Sequence, residues 1–345
     1  MSANKRISII IPLYNAERTL VRTLGSICCQ IGESDEIIVV DDCSSDTSLS
    51  ICRRFAEKYS DRIRIIGAQY HRGPSASRNM GTEAACGNYI CYVDSDDKLA
   101  PNALETMFCF AEENDCDIVQ AGYYYVCGNS LLRKKRNTRQ YANGKVLSRR
   151  EAMHSLVMND FVSNFVWAKL YKTETAKKYK FREDISMGED VFWQHLVIND
   201  AKRIGVLSTP LYYYMQKTCG LSYSLAPRHI GLLEAHKERL QFIKCHYPDL
   251  VNAQLQTYWR TAYNFYRSTK RSDVELKMLF SQYFDDINAK YHCEFDDALK
   301  YMPEYMFHKS CPIVLDAYLQ MYRVFSFVIR KLGYGEYERI PYMEQ

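Results

Sequence analysis

Glycine is scarce for a chain of 345 residues. The 15 present are never arranged as GxGxxG or as a P-loop. Without a glycine-rich backbone cradle, any phosphate-bearing ligand has to be held by a metal instead. The 13 cysteines form no CxxC, and two of them, Cys28 and Cys29, are adjacent. That usage points to reduced thiols in a cytosolic compartment and not to a disulfide scaffold. None of the eight histidines sits in an HxH or HxxxH pattern, which leaves a zinc hydrolase without support. No stretch reaches 18 residues without a charge, and the apolar run at the N-terminus is short, so neither a spanning helix nor a signal peptide is expected. Charge of one sign is lacking too: 45 basic against 41 acidic residues give a net of +4, too little for a nucleic-acid binder that works by bulk charge. What remains is an ordinary globular composition, 47% apolar and 25% charged, on a chain longer than one compact core usually fills. Two units are the expectation.

From residue 5 to about 125, short β-branched runs alternate with longer amphipathic stretches, the pattern of βα units around a mainly parallel sheet with helices on both faces. The predicted strands are Ile7 to Pro12, Glu36 to Val40, Ile63 to Ile66, Tyr89 to Val93 and Ile118 to Tyr123. Each is a nearly continuous apolar run, as a strand covered on both faces should be. Helices are predicted around Arg18 to Gln30, Asp46 to Tyr59, Ser75 to Ala85 and Asn102 to Glu113. From Cys127 to Arg150 eight basic residues occur with no acid, and the segment reads as a loop or hairpin. Ser148 and Glu151 then form a capping box ahead of Ala152 to Met158. An aromatic and basic cluster follows at Phe165 to Lys172, then a helix start at Gly188 to Asp190 and strand-like runs at Arg203 to Leu207 and Leu211 to Met215. Beyond Pro227 the pattern is helical. The predicted units are 1–222, an α/β domain, and 223–345, a helical region for acceptor, membrane or partner contact.

In open α/β sheets, ligands bind beyond the carboxyl ends of the strands. There the sequence Tyr92-Val-Asp-Ser-Asp-Asp97 runs a buried strand into three carboxylates, Asp94, Asp96 and Asp97. Like charges so close raise one another's proton affinity unless a cation neutralises them. A divalent metal that also bridges phosphate oxygens would do so with one or two of these carboxylates. The competing reading is an acidic turn capping the next helix. A second acidic pair, Asp41 and Asp42, ends the preceding strand and could accept hydrogen bonds from a base imide or a ribose hydroxyl, while Ser45 or Asp46 caps the following helix.

Four segments together, Ser8-Ile-Ile-Ile-Pro-Leu-Tyr-Asn-Ala-Glu17, Ile37-Ile-Val-Val-Asp-Asp-Cys-Ser-Ser-Asp46, Gly73-Pro-Ser-Ala-Ser-Arg-Asn-Met-Gly81 and Tyr92 to Asp97, resemble the successive motifs of the family 2 glycosyltransferases. The resemblance covers about residues 6 to 215. It implies the GT-A fold and an inverting transferase that uses a nucleotide-diphosphate sugar, a UDP-sugar foremost, and a divalent metal, Mn²⁺ or Mg²⁺. Carried over position by position, Pro12, Tyr14, Glu17, Asp41 and Asp42 would line the nucleotide pocket. Arg78, Asn79, Asp94 and Ser95 would lie against the donor, and Asp94 and Asp96 would form the DxD, with Asp96 favoured as the direct metal ligand. Cys43 departs from the family, standing where a glycine is usual.

The same resemblance reads Trp167 and Lys169 as the acceptor side and Glu189 and Asp190 as the catalytic pair, with Asp190 the general base. At a helix start the backbone N–H groups favour the ionised carboxylate, whereas Glu189 beside it pushes its proton affinity up. A bacterial surface-polysaccharide role with a glycan or lipid-linked glycan acceptor is implied, on a cytoplasmic protein with peripheral contact at the inner membrane face and no nucleic acid. Two other functions stay open at this point: a catalytically silent nucleotide-sugar-binding or assembly protein, and a sugar-1-phosphate nucleotidyltransferase, which should carry a Gly-rich loop that Leu13 to Glu17 lacks. The basic segment and an amphipathic stretch at Pro312 to Lys331 are candidate contacts for an anionic surface or lipid. Tyr212, Tyr213, Tyr214 and Tyr223 are candidates for stacking on sugar rings.

Overall fold

The computed structural model describes residues 6–59, 61–134, 144–216, 225–269, 273–299 and 337–341. The Pro312 to Lys331 stretch, Tyr223 and the middle of the basic segment lie outside the described residues. Two compact units are present: Met1–Lys217 together with Arg339–Gln345, and Thr218–Glu338.

The first unit begins β1 (Ile7–Leu13), α1 (Leu20–Cys28), β2 (Asp35–Asp41), α2 (Ser48–Lys58), β3 (Ile63–Gly67), α3 (Pro74–Ala84) and β4 (Tyr89–Tyr92). It continues with β5 (Lys98–Leu99), α4 (Ala103–Glu113), β6 (Ile118–Cys127), β7 (Ser130–Lys134), β8 (Lys145–Ser148), α5 (Arg149–Val157), β9 (Lys169–Lys172), α6 (Thr173–Ala176), α7 (Glu189–Asp200) and β10 (Arg203–Met215). β1 and β2 are buried at every residue, because helices cover both faces and each apolar side chain finds a partner whichever way it points. Neighbours β3, β2, β1 and β4 are parallel, each crossover a helix. Gly81 explains how closely α3 lies on β1: a Cβ there would stand 2.4 Å from Ile10 Cγ2.

Beyond β4 the sheet departs from the parallel expectation. β9 inserts antiparallel to both β4 and β6, and β10 runs parallel to β6 along its other edge. The aromatic and basic cluster Phe165 to Lys172 thus contains a strand that its sequence did not announce: four residues are too few to display a period, and β9 exists because β4 and β6 both offer it unpaired backbone. β10 is one strand where two runs were expected, with register shifts on either side of Pro210, which has no N–H to give the ladder. β6 and β7 form a hairpin, and the Ser148–Glu151 capping box is present. β11 (Tyr337–Pro341) takes the sheet edge beside β7.

Among the described residues of the second unit, the helices Ile230–His246, Val251–Ser268, Val274–Lys290 and His292–Leu299 pack around Leu240, Tyr258, Trp259, Phe280, Phe284 and Phe295. Its buried Arg239 donates to Gln254 Oε1 at 2.9 Å and lies 3.1 Å from His236 Nδ1. Among the described residues no helix is long and apolar enough to cross a membrane.

Candidate active site

The chain leaves β4 into the turn Asp94–Asp97, and α1 holds that turn from below. Thr19 and Thr23 hydroxyls each reach Ser95 O at 3.0 Å, Thr23 also reaches Asp97 O at 2.7 Å, and Arg22 donates to Asp96 O at 2.7 Å. With the backbone fixed, the three carboxylates part company. Asp97 is fully buried and accepts from Tyr212 Oη at 2.6 Å and Met215 N at 2.8 Å, which ties the turn to β10. Burial, with Asp94 and Asp96 nearby, drives its proton affinity far above that of an ordinary aspartate. The expectation that all three are presented together is corrected accordingly: Asp97 braces the turn, and Asp94, Ser95 and Asp96 stay half-buried at its mouth. Among the described residues no group of three or more His, Cys, Asp or Glu side chains could hold a metal ion. Asp94 and Asp96 supply hard oxygen donors suited to Mg²⁺ or Mn²⁺, provided that phosphate and water complete the shell.

Arg78, on α3, joins this turn to the start of α7. Its guanidinium is buried and donates to Asp94 Oδ1 at 3.0 Å and Glu189 Oε1 at 2.9 Å, while the Phe181 ring lies 5.7 Å from it. The two carboxylates hold the guanidinium firmly charged against the cost of burial. Its Nε is buried with no hydrogen-bond partner among the described residues. Gly188, at φ +93°, turns the chain into α7 in a conformation that L side chains rarely adopt, and so delivers Glu189 and Asp190 in the first helical turn.

Asp190 Oδ1 accepts from Val191 N at 2.7 Å. Burial, and then the Glu189 charge, push its carboxyl up to about 7, overcoming that backbone donor and the attraction of Arg78 and Lys169. The helix-start effect expected from sequence is therefore present but smaller than desolvation. Lys169 is fully buried on β9; its Nζ donates to Ser163 Oγ at 3.0 Å and to Phe165 O, and burial pulls its pKa down to about 7.

At the other end of the site, Asp41 and Asp42 are both buried at the end of β2. Asp41 Oδ1 accepts from Ser44 N at 3.3 Å. Asp42 is more heavily engaged, with Arg72 N at 2.8 Å, Gly73 N at 2.7 Å and His71 Nδ1 at 2.8 Å. The His71 ring in turn stacks on the exposed Tyr14 ring, centroids 4.1 Å apart. His71 was not anticipated; its one signal was a place two residues ahead of the Gly73 motif. Glu17 accepts from the N–H and hydroxyl of Thr47 at 3.1 and 2.8 Å, and so anchors the β1–α1 loop to α2. Asp46, one residue ahead of the N-cap Thr47, accepts from Ser48 N at 2.9 Å. Pro12 lies buried within β1, paired in register with Val40.

Two further residues named from the sequence are held by neighbours inside the first unit. Asn79 binds the segment before α7, described below. Trp167 is 5% exposed inside an aromatic stack, 4.4 Å from Phe165, 4.8 Å from Tyr212 and 5.1 Å from Tyr214 between ring centroids. Tyr213 faces the other way, stacked on Tyr124 at 5.5 Å.

Residues 8–174 match Glycosyl transferase family 2. Glycosyltransferase GlyA of Streptococcus pneumoniae is 30% identical over 256 residues, which are 70% of this chain but 35% of that protein, so the chain spans about a third of this relative's length. The GalNAc(5)-diNAcBac-PP-undecaprenol beta-1,3-glucosyltransferase of Campylobacter jejuni is 27% identical over 293 residues, 82% of this chain and 90% of that one. Among solved structures, S. aureus TarS 1-349 in complex with UDP-GlcNAc superposes with a TM-score of 0.65 at 20% identity, covering 87% of this chain and 82% of that chain. The fold is thus of the GT-A kind, with a helical region after it. Residues 8–174, which carry these motifs, belong to the family 2 glycosyltransferases.

Proposed function

We propose that this protein moves a sugar from a nucleotide-diphosphate donor, a UDP-sugar, to an acceptor hydroxyl on a lipid-linked glycan of a bacterial surface polysaccharide, inverting the anomeric carbon. The observation that carries the reading is Asp190, a half-buried carboxyl at a helix start whose pKa is raised to about 7. A base poised near the working pH serves proton abstraction best. The Campylobacter relative, named for an undecaprenol-linked glycan, supports the acceptor class, and the UDP-GlcNAc bound to TarS supports the nucleotide.

In this reading Asp190 takes the proton from the acceptor hydroxyl, and the oxygen attacks the anomeric carbon on the face opposite the departing diphosphate. Arg78 bonds Glu189 on one side of the reacting centre and Asp94 on the other, and has an Nε–H left for the donor. Asp96, with Asp94 beside it, would hold a divalent metal, which when bound neutralises the charge growing on the diphosphate. Tyr14 and His71 offer a stacking surface for the base. Asp42 is already filled by Arg72, Gly73 and His71, so Asp41 is assigned the base imide. Trp167 and Lys169 support the acceptor side from within, one as the centre of the aromatic stack and the other as a buried amine near Asp190. The cytoplasmic face of the membrane, where nucleotide sugars and lipid carriers meet, is the proposed place of work.

The test is transfer from a panel of nucleotide sugars with Mn²⁺, on the parent and on Asp190→Asn. Loss of transfer with nucleotide binding kept is expected. Full turnover by the Asn variant would remove the base assignment.

A further inference from the structure

We propose that Asn79 is a positioning residue: its amide latches the Phe181 segment to α3 and thereby sets where α7 presents its first-turn carboxylates. This rests on the reading of Asp190 as the base. Asn79 Nδ2 donates to Phe181 O at 2.9 Å, and Asn79 Oδ1 accepts from Phe181 N at 2.8 Å. One side chain thus satisfies both backbone groups of one residue, as a neighbouring strand would. The same Nδ2 reaches Glu183 Oε1 at 2.9 Å, and Glu183 is also paired with Arg72. Arg72 is the residue whose N–H binds Asp42, so the latch begins at the nucleotide end of the site.

The held residue is not a passive loop position. Phe181 is buried, stacked on Trp193 at 4.5 Å and edge-on to Tyr92 at 5.6 Å. Trp193 is itself pinned, its Nε1 donating to Tyr179 O at 2.8 Å. Asp190 and Trp193 are three residues apart on α7 and share a helix face, so the seat of the Trp193 ring fixes the roll of the helix that carries Asp190. A latch that loosened Phe181 would free that roll without touching the donor.

The test uses the full chain and three variants, Asn79→Asp, Glu183→Gln and the double variant. Asn79→Asp is isosteric but replaces the donating NH₂ by an oxygen facing Phe181 O and Glu183. Misplacement of a reacting group by about 1 Å can cost about 100-fold, so kcat is expected to fall about 10- to 100-fold while the donor KM stays within about twofold. Amide hydrogen exchange over residues 181–190 should quicken in Asn79→Asp. Adding Glu183→Gln supplies a donor to the new carboxylate and should restore part of both readouts. A donor KM raised about tenfold with kcat kept would make Asn79 a substrate contact and overturn the proposal, as would unchanged exchange over 181–190. If no nucleotide sugar is turned over by the parent, the reading of the reaction fails on its own, and the exchange measurement and its rescue still decide the latch.

Discussion

Replacing Asp190 by Asn should stabilise the protein, and by an amount that depends on pH. The native carboxyl titrates near 7 in place of an ordinary 3.8, because burial and Glu189 oppose its charge. Each pH unit between those values is worth about 1.36 kcal/mol, which gives a ceiling of about 4 kcal/mol. Residual solvent contact brings this to about 2 kcal/mol. The sign follows from a folded pKa above the unfolded one. The group's favourable contribution is complete below about pH 4, declines as the unfolded chain ionises, and is gone once pH passes about 7. Asn cannot ionise and escapes this loss. Lys169 does not blur the comparison at high pH, since its own pKa is pulled down to about 7 and it is neutral at pH 8.5. Urea unfolding of parent and Asp190→Asn at pH 5 and pH 8.5 should therefore show an Asn advantage larger at pH 8.5 by about 1.5 kcal/mol. Equal differences at the two pH values would refute the account of Asp190 as a carboxyl held against its charge. The experiment needs no substrate, and a gain in stability alongside lost transfer is the trade expected of a strained catalytic group.

Two further outcomes follow from single residues. Cys43 sits at φ +63°, where a Cβ costs about 1 kcal/mol, so Cys43→Gly should raise stability by about 0.5–1 kcal/mol despite losing the Sγ contact to Ala68 O at 3.2 Å; thermal unfolding measures it, and a net loss would show that contact to matter more than the backbone. Tyr212→Phe removes the 2.6 Å donor to buried Asp97 and should cost about 1–3 kcal/mol in denaturant unfolding, whereas no loss would mean that Asp97 is satisfied without it.

Much of the fold was legible because β1, β2 and β4 are continuous apolar runs that require two covered faces. β9 was not, because Lys169–Lys172 owes its conformation to β4 and β6 on either side and not to any pattern of its own. The site divides in the same way. That carboxylates gather after β4 is visible in the residues Asp94 to Asp97, but which of them turns inward depends on Tyr212, more than a hundred positions later. Cys43 is the opposite case: a glycine expected on family grounds marked a backbone position, and the positive φ there is what the glycine was for. His71 and the Asn79 latch were illegible, since a single exposed histidine and a single helical asparagine carry no signal until α3 is laid against its neighbours.

The insertion of β9 between β4 and β6 also governs how the protein is made. Chain growth delivers β1 to β4 early, so the nucleotide end of the sheet can assemble while most of the sequence is still to come. β4, the strand that ends in the carboxylate turn, then has one open edge until residues 169–172 emerge and fill it. Its other neighbours do not help, because β6 reaches it only through β9. An unpaired edge on a buried apolar strand is a template for wrong pairing. The stretch with Trp167, Lys169 and Asp190 in or near it is therefore also the piece that fills the open edge of β4. A nascent chain that stalls before it exposes its stickiest strand, and one that passes it acquires its fold and its proposed base within about twenty residues of each other.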